Sequence, residues 1–211
     1  MSDQAFPNSS KLRLDHQMMG ELVPRGSRVL DLGCGDGDLL LELKDKRQCQ
    51  VRGIEINPLH VQHCIERGLP VYHGDMLEGI QHYRDGSFDV VLLGQTLQQT
   101  EDPLRVIHEM LRVGERAIIS FPNFGWWKTR LQLLFTGRMP RHRLLPYQWY
   151  NTPNVHLCTI KDFWALCQQE QFAVEQVLYL VPTARRVTPF LANWRAGLAI
   201  FELRRGDSAR S

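Results

Sequence analysis

The 211-residue chain predicts an open α/β fold, a mostly parallel seven-stranded sheet with helices on both faces. Three observations carry that expectation. Apolar strand-like runs and helical patterns alternate five times between Arg28 and Phe121, which favours parallel pairing through right-handed crossovers. The run Val90-Val91-Leu92-Leu93 has no polar alternation, as expected of a strand covered on both faces. Two further strand-like runs follow a last helix, Phe172 to Val181 and Gly197 to Arg204.

The elements follow in order. Leu12 to Leu22 reads as a helix, with Leu14, Met18 and Leu22 at helical spacing. Leu22-Val-Pro-Arg-Gly-Ser27 reads as a helix-to-strand turn broken by Pro24 and Gly26. Arg28 to Leu32 is the first strand and Asp38 to Lys46 the next helix, with Leu39, Leu40 and Leu43 inward. Val51 to Ile56 is the second strand, stopped by Asn57-Pro58, where proline suits a first helical turn. The helix Pro58 to Arg67 ends at Gly68, a good residue just past a helix end. Pro70 to His73 is a short third strand and Phe88 to Leu93 a fourth. Asp102-Pro103 opens a helix to Arg112, before a fifth strand from Arg116 to Phe121. The segment 122–154 is rich in Trp, Arg, Pro and Tyr and weakly periodic. Thr159, with Asp162 three residues on, predicts a capped helix to about Gln171. One domain spans the chain, with 206–211 a polar, frayed tail.

Composition narrows the class. Hydrophobic residues at 43% and charged residues at 23% suit an ordinary globular chain. No apolar run is long enough to cross a membrane, and Met1 to Ser10 lacks an apolar signal core. A cytoplasmic location is expected. A net charge of +2 gives no support for nucleic acid. The cysteines at 34, 49, 64, 158 and 167 show no metal-ligand spacing and read as reduced thiols.

The chemistry starts at Val29-Leu-Asp-Leu-Gly-Cys-Gly-Asp-Gly37. A strand runs into a turn carrying Gly33, Gly35 and Gly37, then a helix, then a strand tipped by Glu55. In an open parallel sheet, ligands sit beyond the carboxyl ends of strands where the order reverses. Glycines let a ligand approach the backbone. A strand-end carboxylate can accept both hydroxyls of a ribose through strong charge-assisted bonds. The third glycine comes one residue earlier than in the dinucleotide pattern. Asp31, Asp36 and Asp38 would repel a pyrophosphate and tolerate a cationic sulfonium, so S-adenosylmethionine fits better than NAD. Two more stations agree: Gly74-Asp75-Met76 after strand three, and Leu93-Gly94-Gln95 after strand four. Removal of Glu55 is expected to leave folding largely intact.

These residues resemble the class I S-adenosylmethionine-dependent methyltransferases, over about residues 25–121. The resemblance implies a Rossmann-like sheet with an antiparallel last strand. It implies that Asp31 and the Gly33-Cys34-Gly35 backbone hold the methionine moiety and Glu55 the ribose, with Ile56 in the same set. Asp75 and Met76 would frame the adenine, and Gln95 would line the mouth. The cofactor is then S-adenosylmethionine or S-adenosylhomocysteine. No Asn-Pro-Pro-Tyr-like clamp follows strand four, where Gly94-Gln-Thr-Leu-Gln98 stands instead, which argues against a nucleic-acid amino methyltransferase.

A narrower likeness lies after strand five. Ser120-Phe-Pro-Asn-Phe-Gly-Trp-Trp127, Gly137-Arg-Met-Pro140, Leu145-Pro-Tyr-Gln-Trp-Tyr150, Thr152-Pro-Asn-Val-His156 and Cys158-Thr-Ile-Lys-Asp-Phe163 resemble the MetW family of methionine-biosynthesis proteins. That resemblance implies a partner, homoserine O-acyltransferase (MetX). It does not establish methyl transfer. From Arg116 through Lys161 there is no Asp or Glu, while Lys128, Arg130, Arg138, Arg141 and Arg143 alternate with Trp and Tyr. This mix suits a lid, a docking insertion, an anionic-substrate site or single-stranded nucleic acid. His156, Tyr147, Tyr150 and Asn123 are the candidate catalytic side chains. Three functions stay open: an accessory or regulatory partner of the acyltransferase, a small-molecule methyltransferase, and a relic that binds no cofactor.

Overall fold

The computed structural model describes residues 14–181 and 186–205. The expected helix start at Leu12 and the polar tail 206–211 lie outside the described residues. Seven strands form one sheet: β1 (Arg28–Leu32), β2 (Gln50–Glu55), β3 (Val71–His73), β4 (Phe88–Gly94), β5 (Gly114–Pro122), β6 (Ala173–Leu180) and β7 (Leu198–Arg204). Their order is β3-β2-β1-β4-β5-β7-β6. The first five pair in parallel, while β7 runs antiparallel to both β5 and β6. The chain goes one way from β1 to β2 and β3, then returns to β4 on the other side of β1. The crevice between β1 and β4 is therefore the switch point where such sheets bind ligands.

Side-chain alternation explains why these runs are apolar throughout. Leu30, Leu32, Ile54, Val91, Leu93, Ile119 and Phe201 face one core. Their neighbours Val29, Val51, Val90, Leu92, Ile118 and Ile200 face another. Helices α1 (Leu14–Leu22), α2 (Asp38–Arg47) and α3 (Pro58–Glu66) cover the second face, through Met19, Leu40 and Cys64 among others. Helices α4 (Met76–Gln81), α5 (Pro103–Val113), α7 (Ile160–Gln169) and α8 (Ala192–Arg195) cover the first, through Ile80, Met110, Phe163 and Ala192. With both faces covered, the central strands have no solvent side and no need of polar residues.

The local signals act as read. Asn57 accepts from Leu59 N and caps α3, whose first turn holds Pro58. Thr159 and Asp162 form a reciprocal capping box at α7. Three α-helices have no counterpart in the sequence reading. Helix α4 is only six residues long, too short for a period to register. The 4-residue α8 shares that brevity. Helix α6 (Trp127–Thr136) buries only Thr129, so it carries no inward stripe for periodicity to detect.

Candidate functional site

The turn after β1 is built for backbone rather than side chains. Gly33 sits at φ +68°, Gly35 at +54° and Gly37 at +76°, a region that L-residues avoid. Gly33 N and Cys34 N both donate to Ile54 O, at 2.8 and 3.2 Å, which ties the turn to the end of β2. A Cβ on Gly33 would lie 3.1 Å from Thr96 Oγ1, across the crevice from β4. A Cβ on Gly37 would lie 2.5 Å from Leu69 Cδ1 and 2.9 Å from Cys64 Sγ. The first glycine thus leaves room at the crevice, and the last lets α2 pack down on α3.

Beside the turn lies a cleft of about 190 Å³, lined by Gly33, Ile54, Glu55, Ile56, Gly74, Asp75, Met76, Thr96 and Gln99. Three strand ends and one loop converge there. Of the nine sequence-predicted residues, Gly33, Glu55, Ile56, Asp75 and Met76 line this cleft. Asp31, Cys34, Gly35 and Gln95 do not. Asp31 is buried in the sheet, paired in register with Gly53 and Leu92. The Cys34 side chain packs into the core under the turn, and its thiol is raised in pKa by a hydrogen bond with Cys64 and by burial.

Glu55 is 8% exposed, and its carboxylate is already committed to the backbone. Its Oε2 accepts from Gly35 N and its Oε1 from Asn57 N, both at 2.8 Å. Each oxygen keeps a second lone pair for a ligand hydroxyl. The side chain therefore shapes the turn as well as facing the cleft. The expectation that its loss would spare folding is corrected on this ground. Asp75 Oδ1 caps α4 by accepting from Leu77 N and Glu78 N, which leaves its other oxygen for an exocyclic amine. Ile56 is 66% exposed beside Glu55, an apolar surface with no partner in the core.

Two details depart from the sequence reading. Asp36 sits within 3.1 Å of His60 and His63, and Asp38 within 2.7 Å of Arg67. Neither lines the cleft, so its carboxylates are Glu55 and Asp75 rather than the turn aspartates. Gln95 adopts φ +52°, which is strained for a side-chain-bearing residue. The strain is held by bonds from Gln95 N to Ser120 O and Oγ, and from the Gln98 and Gln99 amides to Gln95 O. The bend starts a 3₁₀ turn, Leu97–Gln99, and brings Thr96 and Gln99 to the cleft in place of Gln95. Sequence reasoning missed both residues, because only the backbone twist at Gln95 selects them.

None of the four candidate catalytic side chains lines the cleft. His156 Nε2 lies 3.3 Å from Glu101 O, a backbone contact. Tyr150 packs edge-on against Trp149. Tyr147 lines hollows in the 127–157 segment. Asn123 is a structural hub, 2% exposed. It donates to Asn193 O and Ala196 O and accepts from Gly125 N and Ile160 N. Its carboxamide is wholly engaged in joining the end of β5 to α7 and α8.

The described cysteines form no disulfide. Burial pushes the Cys158 thiol up to about 12 and that of Cys167 up to about 11. Between roughly pH 9 and 11 the unfolded chain loses these protons and the folded chain keeps them. Stability contributed by the two thiols is therefore intact below about pH 9 and falls as pH rises towards their folded values. Urea midpoints from pH 8 to 11 are expected to fall more steeply for the native chain than for Cys158→Ala/Cys167→Ala. Parallel curves for the two proteins would contradict this.

Comparison with known proteins agrees with the geometry. The model of the family described as "Methionine biosynthesis protein MetW" matches residues 13–203. A protein of Rhodopirellula baltica, named bifunctional methionine biosynthesis protein MetXA/MetW, is 35% identical over 195 residues. That match covers 88% of this chain and 31% of the relative. A ubiquinone biosynthesis O-methyltransferase of Xanthomonas axonopodis pv. citri is 33% identical over 120 residues, covering 53% of this chain and 49% of the enzyme. The chain thus spans a third to a half of these relatives. Among solved structures, an S-adenosylmethionine-dependent methyltransferase from Mesorhizobium loti superposes with a TM-score of 0.67 at 20% identity, covering 91% of this chain and 98% of that one. The [4+2]-cyclase SpnF superposes at 0.65 and 18% identity, covering 95% and 86%. At such identities the likeness shows the fold, and the cyclase's name shows that the fold is not confined to methyl transfer. The methyltransferase-like fold and the match along nearly the whole chain together show that this chain belongs to the MetW family of methionine biosynthesis proteins.

Proposed function

We propose that this chain is an S-adenosylmethionine-binding accessory protein that associates with homoserine O-acyltransferase (MetX) and regulates it. The observation that carries the partnership is the Rhodopirellula baltica relative, in which a single chain is named for both MetXA and MetW. The cleft supports the cofactor. Its two carboxylates suit a neutral or cationic ligand, and Gly33 leaves open the space that a Cβ would take against Thr96. In this reading the Gly33-Cys34-Gly35 backbone, positioned by Asp31, holds the methionine end. Glu55 accepts the ribose hydroxyls and Ile56 covers one face of the base. Asp75 accepts from the adenine amine beside Met76, while Gln95 positions Thr96 and Gln99 at the mouth.

Regulation requires that cleft and partner surface communicate. Val155 N and His156 N both donate to Gln98 O, at 2.8 and 3.0 Å. That clamp ties the segment after β5 to the 3₁₀ turn whose Gln99 lines the cleft. A ligand that binds the free and complexed forms unequally shifts association by that difference, and the coupling is reciprocal.

A second reading, a small-molecule methyltransferase, is favoured by the likeness to the ubiquinone O-methyltransferase. Bound S-adenosylmethionine would supply an electrophilic methyl group, whose transfer needs chiefly in-line positioning. One set of measurements separates the readings. Calorimetry with S-adenosylhomocysteine is expected to show binding. The acyltransferase is expected to co-purify and to change rate when this chain is added. Labelled methyl transfer to a metabolite extract, with no effect on the acyltransferase, would favour the second reading instead. Absence of any nucleoside binding would refute both.

A further inference from the structure

We infer that the segment 127–157 is the docking face for the acyltransferase, and that the matching surface of the partner is an apolar patch edged with carboxylates. This rests on the partnership proposed above and adds where the contact forms and by what chemistry.

Helix α6 presents Leu133, Leu134 and Phe135 in succession, 42%, 73% and 78% exposed. Three adjacent positions span about 200° of the helix circumference, and no face of this chain covers them. Trp149 and Tyr150 are also exposed, at 74% and 69%. Five large apolar side chains exposed on one segment mark an interaction surface rather than a solvated one. Beside it, the end of α6 and residues 147–149 enclose a groove of about 930 Å³ with Arg138 and Arg141 on its wall. The groove continues into a hollow of about 200 Å³, sharing Met139 and Tyr147.

Charge selects the occupant. No carboxylate occurs between Arg116 and Lys161, and Arg138 and Arg143 have no carboxylate partner among the described residues. A second copy of this chain would set one basic rim against another. An anionic lipid surface calls for an apolar stripe on one side of a helix, whereas α6 spreads its apolar residues around. Phosphates of a nucleic acid would pair with the arginines but leave Leu134 and Phe135 in water. A protein face with apolar centre and acidic rim satisfies both features. The Rhodopirellula baltica relative is a single chain named for both MetXA and MetW, which sets the proposed partner beside this kind of chain.

The test uses two surface variants of the full chain, Leu134→Asp/Phe135→Asp and Arg138→Glu, with the purified acyltransferase as probe. The double variant is expected to weaken the complex about 30-fold or more, as at interface hot spots, with melting temperature and S-adenosylhomocysteine affinity unchanged. Arg138→Glu is expected to cost about fivefold, more at low salt than at high, as a rim charge does. Variants that bind like the native chain would overturn the face while leaving the partnership standing. A native chain that does not bind the acyltransferase would overturn both. A double variant that keeps acyltransferase binding but loses flotation with phosphatidylglycerol vesicles, or dimerisation, would overturn the face and assign it to that other occupant, with the partnership left standing.

Discussion

Asn123→Ala is expected to destabilise the fold by about 4 kcal/mol, since four buried or partly buried backbone groups lose partners worth ~1 kcal/mol each. Those groups are Asn193 O, Ala196 O, Gly125 N and Ile160 N. For a chain of this size each kcal/mol lowers the melting temperature by roughly 2–4 °C, which gives a fall of roughly 8–16 °C. Asn123→Asp at neutral pH should do no better. It keeps acceptors for the two N–H groups but sets a carboxylate oxygen against two carbonyls, turning two donations into repulsions. Differential scanning calorimetry checks both. Melting within a degree or two of the native protein would mean that the hub is dispensable. Any methyl-transfer activity measured well below the melting point should persist in Asn123→Ala, because the side chain does not line the cleft.

The second large effect is on binding. Glu55→Ala is expected to weaken S-adenosylhomocysteine binding by ~1.5–3 kcal/mol, the scale of a charge-assisted hydrogen bond. That corresponds to roughly 10- to 150-fold in Kd. The same change leaves Gly35 N and Asn57 N without their acceptor, so a stability loss of about 1–3 kcal/mol accompanies it. Titration calorimetry at 20 °C, well below the melting transition, separates the two effects. Glu55→Gln offers one oxygen in place of two and should fall between native and Ala in both. An unchanged affinity in Glu55→Ala would place the ribose elsewhere and remove the basis for the cleft assignment.

Much of this architecture is legible in the sequence. The Asn57-Pro58 cap and the Thr159/Asp162 box each report on forces acting within a few residues. Such forces act wherever the segment lies in space, and so they can be read from order alone. The glycine turn is legible for the same reason: left-handed backbone at 33, 35 and 37 is a local demand that only glycine meets cheaply.

The misreadings share a cause. Asp36 and Asp38 count as negative charges in the sequence, but His63 and Arg67 arrive from α3 to pair with them. Asn123 offers the polar atoms of a catalytic residue, but the return of α7 and α8 engages all of them. Helix α6 lacks a buried stripe because its apolar side chains face away from this chain's own core.

By itself the sequence determined the order of the seven strands and of five helices, the apolar demand of a sheet covered on both faces, and the glycine turn with a carboxylate at the end of the next strand. Those follow from covalent geometry and burial along a short stretch of chain. Only the tertiary structure decided which polar groups remain for a ligand, that Thr96 and Gln99 replace Gln95 at the cleft, and that Leu134 and Phe135 stand in solvent. Such outcomes depend on how separate stretches of chain meet in space, where one segment's arrival satisfies a hydrogen bond or withholds a packing surface.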